Sequence, residues 1–240
     1  MNQSEPILKL TNLCKSFGGI RAVHDVNMEV YEGELRCLIG PNGAGKTTIL
    51  NLVVGMYPPT SGQVLYCGKP INNEPTWKRM NGGISMKLQK PGVYGTLSLR
   101  DNIRIALQRH VDPKHIDDEI ERLVKMVGID NIGNPLAMNM SHGQQQWLEI
   151  AMSIALKPKL LLLDEPTAGM GPEETAYTAK LVKDIHAQGI TIIFIDHDMD
   201  FVRRIAQKVT VLHYGEVFAE GSLAEIENNE DVKLIYLGDE

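Results

Sequence analysis

The chain has 240 residues, of which 43% are hydrophobic and 22% charged, and a formal net charge of −6. This balance is ordinary for a soluble globular protein: long for one simple domain, short for two large ones, and unsuited to a broad nucleic-acid-binding face. Cys14, Cys37 and Cys67 are too few and too scattered for a disulfide framework or a zinc site; they read as small buried or half-buried residues of strands in a reducing, cytosolic setting.

The first six residues, Met1 to Pro6, have neither a basic start nor an apolar run and do not read as a signal peptide. The apolar runs Leu160–Leu163 and Ile192–Ile195 fall far short of the roughly 20 residues that cross a bilayer. Ile7 to Leu13 alternates loosely and reads as a strand, Lys15 to Gly19 as a turn, and Val23 to Tyr31 as a second strand. Leu35 to Ile39 is a short buried strand, Thr48 to Val54 a helix stopped by Gly55 and the Pro58-Pro59 pair, and Gln63 to Gly68 another strand. The stretch Gly82 to Met86 leads to Gln89, where the character changes. From about 90 to 157 the pattern is helical, and Ile116, Ile120, Leu123, Val124 and Val127 mark one helix face between the Asp112-Pro113 cap and Gly128. The methionines at 126, 138, 140 and 152 read as core filling. Strands and helices then alternate again. Leu160–Leu163 is a strand covered on both faces, Pro172–His186 a helix, Ile190–Ile195 a parallel neighbour strand, Met199–Ala206 a helix, and 209–219 a closing hairpin around Tyr214-Gly215.

Between the strand at 35–39 and the helix at 48–54 lies Gly40-Pro41-Asn42-Gly43-Ala44-Gly45-Lys46-Thr47-Thr48, which fits the phosphate-loop pattern G-x-x-x-x-G-K-[ST] in the right context. Glycines let the backbone amides point at phosphate oxygens, and the helix that follows offers its positive end. Lys46 can then reach the β- and γ-phosphates of a nucleotide while the Thr47 hydroxyl ligates Mg²⁺. The apolar strand at 160–163 ends in Asp164-Glu165. In phosphate-loop NTPases an acid at this place holds Mg²⁺, so Asp164 takes the metal role and Glu165 that of general base toward water. Ser141-His142-Gly143-Gln144 opens a helix; Ser-x-x-Gln is a capping box, and a Ser hydroxyl with a Gly amide at a helix start also makes an anion site.

With those motifs in order, the stretch Ser141–Ile150, preceded by Met140, resembles the signature motif of ATP-binding-cassette (ABC) ATPases, commonly Leu-Ser-Gly-Gly-Gln, and the resemblance covers essentially the whole chain. It implies an α/β fold: a P-loop NTPase core (1–89 and 158–240) with an N-terminal antiparallel β subdomain and an inserted helical subdomain (90–157). It also implies that Phe17 stacks on adenine, that Gln89 senses Mg²⁺ and the attacking water, and that His197 is the switch histidine near the γ-phosphate. Besides Met140 in place of Leu, a volume-conserving change, two departures stand out: His142 replaces a Gly, and Ala168-Gly169-Met170 replaces a Ser-Ala-Leu-Asp-like loop. Both look like the ATPase subunits of branched-chain amino acid and urea importers. The implied protein hydrolyses ATP with Mg²⁺ at the cytoplasmic face of the membrane. There it pairs head to tail with a second ATPase subunit, Ser141, Gly143 and Gln144 covering the partner's nucleotide. Transmembrane permease subunits and a separate solute-binding protein complete the assembly, without nucleic acid. The alternatives are a lipid or lipopolysaccharide export ATPase and a non-transport ABC ATPase.

Overall fold

Period-two alternation of buried side chains decides the architecture. In the computed structural model, which describes residues 5–89, 92–108 and 110–237, three five-residue strands are buried along their whole length: β3 (Leu35–Ile39), β7 (Leu160–Asp164) and β8 (Thr191–Ile195). Their alternate residues feed two different cores. Leu35, Cys37, Ile39, Leu161, Leu163, Ile192 and Phe194 face one, whereas Leu38, Leu160, Leu162, Ile193 and Ile195 face the other. A strand that reads as continuously apolar is thus a strand covered on both sides.

These strands lie in a six-stranded sheet with β6 (Ile84–Lys87), β9 (Lys208–His213) and β10 (Glu216–Gly221), in the order β10-β9-β3-β8-β7-β6. All neighbours are parallel except the β9–β10 hairpin. A second sheet, ordered β2-β1-β4-β5, joins β1 (Leu8–Phe17), β2 (Ile20–Val30), β4 (Ser61–Tyr66) and β5 (Lys69–Pro70) in antiparallel pairs. Helix α1 (Lys46–Val54) fills the space between the two sheets, with Ile49, Leu50, Leu52 and Val53 fully buried. On the far side of the parallel sheet, α3 (Leu99–Leu107), α4 (Ile116–Met126), α5 (His142–Ala155) and α6 (Pro172–His186) share one core with it. The short α2 (Thr76–Asn81), α7 (Met199–Ile205), α8 (Leu223–Glu227) and α9 (Glu230–Leu237) complete the described helices.

A buried cation joins the two sheets. Arg36, fully enclosed in β3, pairs with Glu34 at 2.7 Å and with Glu220 of β10, and donates to the Glu29 carbonyl of β2 at 2.6 Å. Farther along β2, His24 donates its amide to the Gly215 carbonyl at 2.8 Å.

The structure corrects several expectations. Strand β1 does not stop at Leu13 but runs through register shifts to Phe17, leaving only Gly18-Gly19 as the turn. A positive φ of 45° at Asn12 absorbs the irregularity that blurred the sequence alternation. Cys14 and Cys37 are half-buried and buried strand residues, but Cys67 is exposed in a turn with φ 48°. Met140 is buried, and Met126 and Met152 pack partly on the core; Met138 is instead 56% exposed, on a short 3-10 turn that leaves it facing outward.

Candidate functional site

Strand register brings the motifs together. Leu38, Ile195 and Asp164 are paired across β3, β8 and β7, so Gly40, His197 and Glu165 all emerge just past one edge of the sheet. That edge is the carboxyl end of the parallel strands, where open α/β sheets bind ligands.

The loop from 40 to 48 needs its glycines for two distinct reasons. Gly40 has φ 147° and a Cβ there would lie 2.1 Å from the Leu212 carbonyl; Gly45 caps α1 with φ 97° and its Cβ would lie 2.3 Å from the Ala22 carbonyl. Any larger residue would collide with backbone. Lys46 begins α1 and folds back over the loop, its Nζ donating to the carbonyls of Gly40 (2.6 Å) and Pro41 (2.9 Å). Burial pushes its ammonium down, while the charges of Glu165 and Asp164 oppose the shift.

Thr47 donates its hydroxyl to Asp164 Oδ1 at 3.3 Å. Burial pushes the Asp164 carboxyl up; the Thr47 hydrogen bond and the charges of Lys87 and Lys46 oppose this, and Glu165 adds to it. A nearly enclosed carboxylate beside a hydroxyl, both hard oxygen donors, is a donor set suited to a small divalent cation. Among the described residues no group of three or more His, Cys, Asp or Glu forms a complete cage.

Glu165 is held from two sides. Gln89 Nε2 donates to its Oε2 at 2.9 Å, and His197 Nε2 lies 3.3 Å from its Oε1. Its backbone adopts φ 47°, the left-handed region, which for a non-glycine costs about 1–3 kcal/mol. The turn is locked by its own amide on the Ile195 carbonyl (2.9 Å) and by the Ala168 amide on its carbonyl (3.3 Å).

Phe17, at the end of β1, is 42% exposed and faces the same cleft of about 430 Å³ as the phosphate loop, Gln89, Glu165 and His197. Ser141, Gly143 and Gln144 are not part of that cleft's lining. They cap α5: Ser141 accepts from the Gln144 amide at 3.2 Å and Gln144 Oε1 accepts from the Ser141 amide at 2.9 Å, as the capping-box spacing predicts. Lys90 and Pro91 lie outside the described residues.

The structure adds residues that sequence reasoning missed. Tyr57 meets Phe17 edge-on at 5.2 Å, and Lys15 Nζ lies 4.9 Å from the Phe17 ring centre. Asp196, kept up by burial, accepts from the Thr167 hydroxyl at 2.7 Å and the Asp198 amide at 2.9 Å, tying the loop after Glu165 to the segment that carries His197. Glu149 of α5 accepts from the amides on both sides of Gln89, Leu88 (3.3 Å) and Gly92 (3.0 Å), with the enclosed Lys87 ammonium 3.8 Å from its other oxygen. The lone sequence signal for this pair is a lysine and a glutamate standing where the pattern expects buried residues.

Comparison with known proteins agrees with this geometry. Residues 23–168 match the family model described as "ABC transporter". The high-affinity branched-chain amino acid transport ATP-binding protein BraF of Pseudomonas aeruginosa is 33% identical, the match covering 98% of this chain and 99% of BraF. The lipopolysaccharide export system ATP-binding protein LptB of Escherichia coli is 31% identical over 97% of this chain and 98% of its own length. Among solved structures, a nucleotide-free ATP-binding cassette from an ABC transporter superposes with a TM-score of 0.87 at 26% identity, over 98% of this chain and all of that one. A bacterial ABC transporter cassette solved as a dimer does so with a TM-score of 0.82 at 26% identity, over 90% and 98% of the two chains. The chain therefore belongs to the ABC transporter family, as one of its ATP-binding, ATP-hydrolysing subunits.

Proposed function

We propose that this chain powers import of a small polar solute, a branched-chain amino acid, urea or a related compound, from the cytoplasmic face of a membrane. The observation that carries the catalytic part is the Glu165 carboxylate fixed between Gln89 and His197 at the mouth of the phosphate loop. In this reading Lys46 exchanges the Gly40 and Pro41 carbonyls for the β- and γ-phosphates, and the loop amides from Gly40 to Thr48 hold the remaining oxygens. Phe17 stacks on the adenine. Thr47, Asp164 and Gln89 would hold Mg²⁺, which supplies charge neutralisation at the phosphates. Glu165 accepts the proton of the attacking water, Gln89 orients that water, and His197 steadies the carboxylate and meets the γ-phosphate.

Completion of the site needs a second ATPase subunit, since Ser141, Gly143 and Gln144 stand away from the chain's own cleft. Closure brings that helix start onto the other subunit's γ-phosphate, so the nucleotide's charge favours the closed pair. The helical segment 90–157, hinged at Gln89, passes opening and closing to a transmembrane permease, and a separate solute-binding protein delivers the solute; no nucleic acid is involved. Among the described residues no helix is long and apolar enough to cross a membrane. BraF, His142 and Ala168-Gly169-Met170 support import, whereas the similarity to LptB supports export as the second reading.

The test is size-exclusion chromatography of Glu165→Gln protein with and without ATP and Mg²⁺. A monomer that becomes a dimer only with ATP and Mg²⁺ is expected. A monomer that still binds ATP shows that pairing requires a different ATPase chain, and absence of ATP binding overturns the phosphate-loop reading.

A further inference from the structure

Two of the places where this sequence departs from the common ABC pattern touch one another. His142 Nε2 lies 3.0 Å from the Ala168 carbonyl oxygen, and its ring fills the space beside Gly169, where a Cβ would approach Cδ2 to 3.1 Å. Gly169 has φ 74°, so the backbone turns where the ring needs room. The carbonyl can only accept, so Nε2 carries the hydrogen and donates. The Gln146 amide, 3.2 Å from the same nitrogen, then presents its oxygen as a second acceptor, an exchange of amide ends that leaves its shape unchanged.

Ala168 is also the residue whose amide donates to the Glu165 carbonyl at 3.3 Å. One residue therefore links Glu165, through its N–H, to the first turn of α5, through its C=O. The rest of the loop is fastened on either side. Asp196 holds the Thr167 hydroxyl at 2.7 Å, and the Thr178 hydroxyl of α6 contacts Met170 Sδ at 3.2 Å. With both flanks pinned, Ala168 can shift little unless its two bonds change together.

We propose that His142 is a positioning residue: its Nε2–H bond to Ala168 transmits the placement of the α5 start to the left-handed turn that aims the Glu165 carboxylate. When Ser141 and Gly143 engage a second subunit's nucleotide, the chain's own Glu165 is held in the aim that hydrolysis needs, so the two sites report on each other through one residue. This rests on the assignment of Glu165 as the base.

The experiment compares full-length protein with His142→Ala and His142→Gln substitutions, reading kcat, KM for ATP, and amide deuterium uptake in 165–171. His142 is exposed, so folding is not at stake. His142→Ala is expected to lower kcat about 5-fold, the worth of one hydrogen bond, with KM changed less than about 2-fold and faster uptake at Ala168 and Met170. His142→Gln, whose side-chain N–H can reach the same carbonyl, is expected to recover most of the kcat and the protection. An unchanged kcat in His142→Ala, or equal losses in both variants, overturns the proposal. Glu165→Gln serves as the control. If that variant still hydrolyses ATP, the base assignment falls, and deuterium uptake alone then decides the His142 link: unchanged uptake overturns it and rescue by Gln upholds it.

Discussion

Asp164 sits in a compromise between fold and chemistry. Burial holds its carboxyl above the ordinary value of 3.8, so the nucleotide-free fold keeps a proton that the unfolded chain releases. Stability is therefore lost as pH rises from that ordinary value through the raised one, and the loss is complete above it. Asp164→Asn removes the penalty. Calorimetry of nucleotide-free protein should show the variant melting higher than the parent at neutral pH, with the gap closing as pH approaches 3.8. Hydrolysis that depends on Mg²⁺ should be lost in the same variant, and a lower melting temperature at neutral pH would contradict the account. Single residues of this kind were legible where their position carried the signal: Lys46 in a glycine-rich loop, Asp164 and Glu165 at the end of an apolar strand. Thr167, Asp196 and Tyr57 were not, because each matters through a partner far away in sequence, and pairings of that sort leave no local pattern.

Among the elements, α5 does more than pack. Its Glu149 binds the backbone on both sides of Gln89, and Lys87 supplies the balancing charge from the end of β6. Burial pushes Glu149 up and Lys87 down, each opposed by the other's charge, so neither is comfortable alone. Removing one partner leaves an uncompensated buried ion, which typically costs about 3–5 kcal/mol. Glu149→Ala should lose roughly that much in urea unfolding, and Lys87→Met combined with Glu149→Gln should recover most of it. A double variant no more stable than Glu149→Ala would show that the charge pair itself stabilises the site, because Glu149→Gln still offers an acceptor to the Leu88 and Gly92 amides.

The long elements were readable in the sequence: α6 from Pro172 to His186 with Gly189 as its stop, and β7 and β8 from their unbroken apolar runs. Helix α3 was recoverable too, since Leu99, Ile103 and Leu107 are buried four residues apart behind the Ser98 cap. Helix α2 was not. Its six residues bury chiefly Arg79, which donates to the last carbonyls of α1, Leu52 at 2.7 Å and Val53 at 2.9 Å. A helix organised around a buried cation has no apolar stripe to betray it.

For the whole molecule the open question is what covers the surface beyond Gln89. Tyr94 is 52% exposed and Leu97 half-buried, in a segment that leads from the Gln89 loop into α3. If a permease docks there, Tyr94→Asp and Leu97→Asp should abolish assembly with the membrane subunits in co-purification, while ATP binding by the isolated chain stays intact. Full assembly with both substitutions in place would move the docking surface elsewhere. The two-sheet division also followed from the resemblance, but the joint between the sheets did not, because an arginine in the middle of an apolar strand reads as an interruption rather than a fastening. That joint sets a span. Phe17 belongs to the antiparallel sheet, the phosphate loop to the parallel one, and Arg36 with Glu34, Glu220 and the Glu29 carbonyl rivets one to the other. On the proposed function, a nucleotide would be held as by a caliper with one jaw on each sheet. Slackening the rivet would change which nucleotide lengths and bases fit before it changed how firmly the phosphates are held.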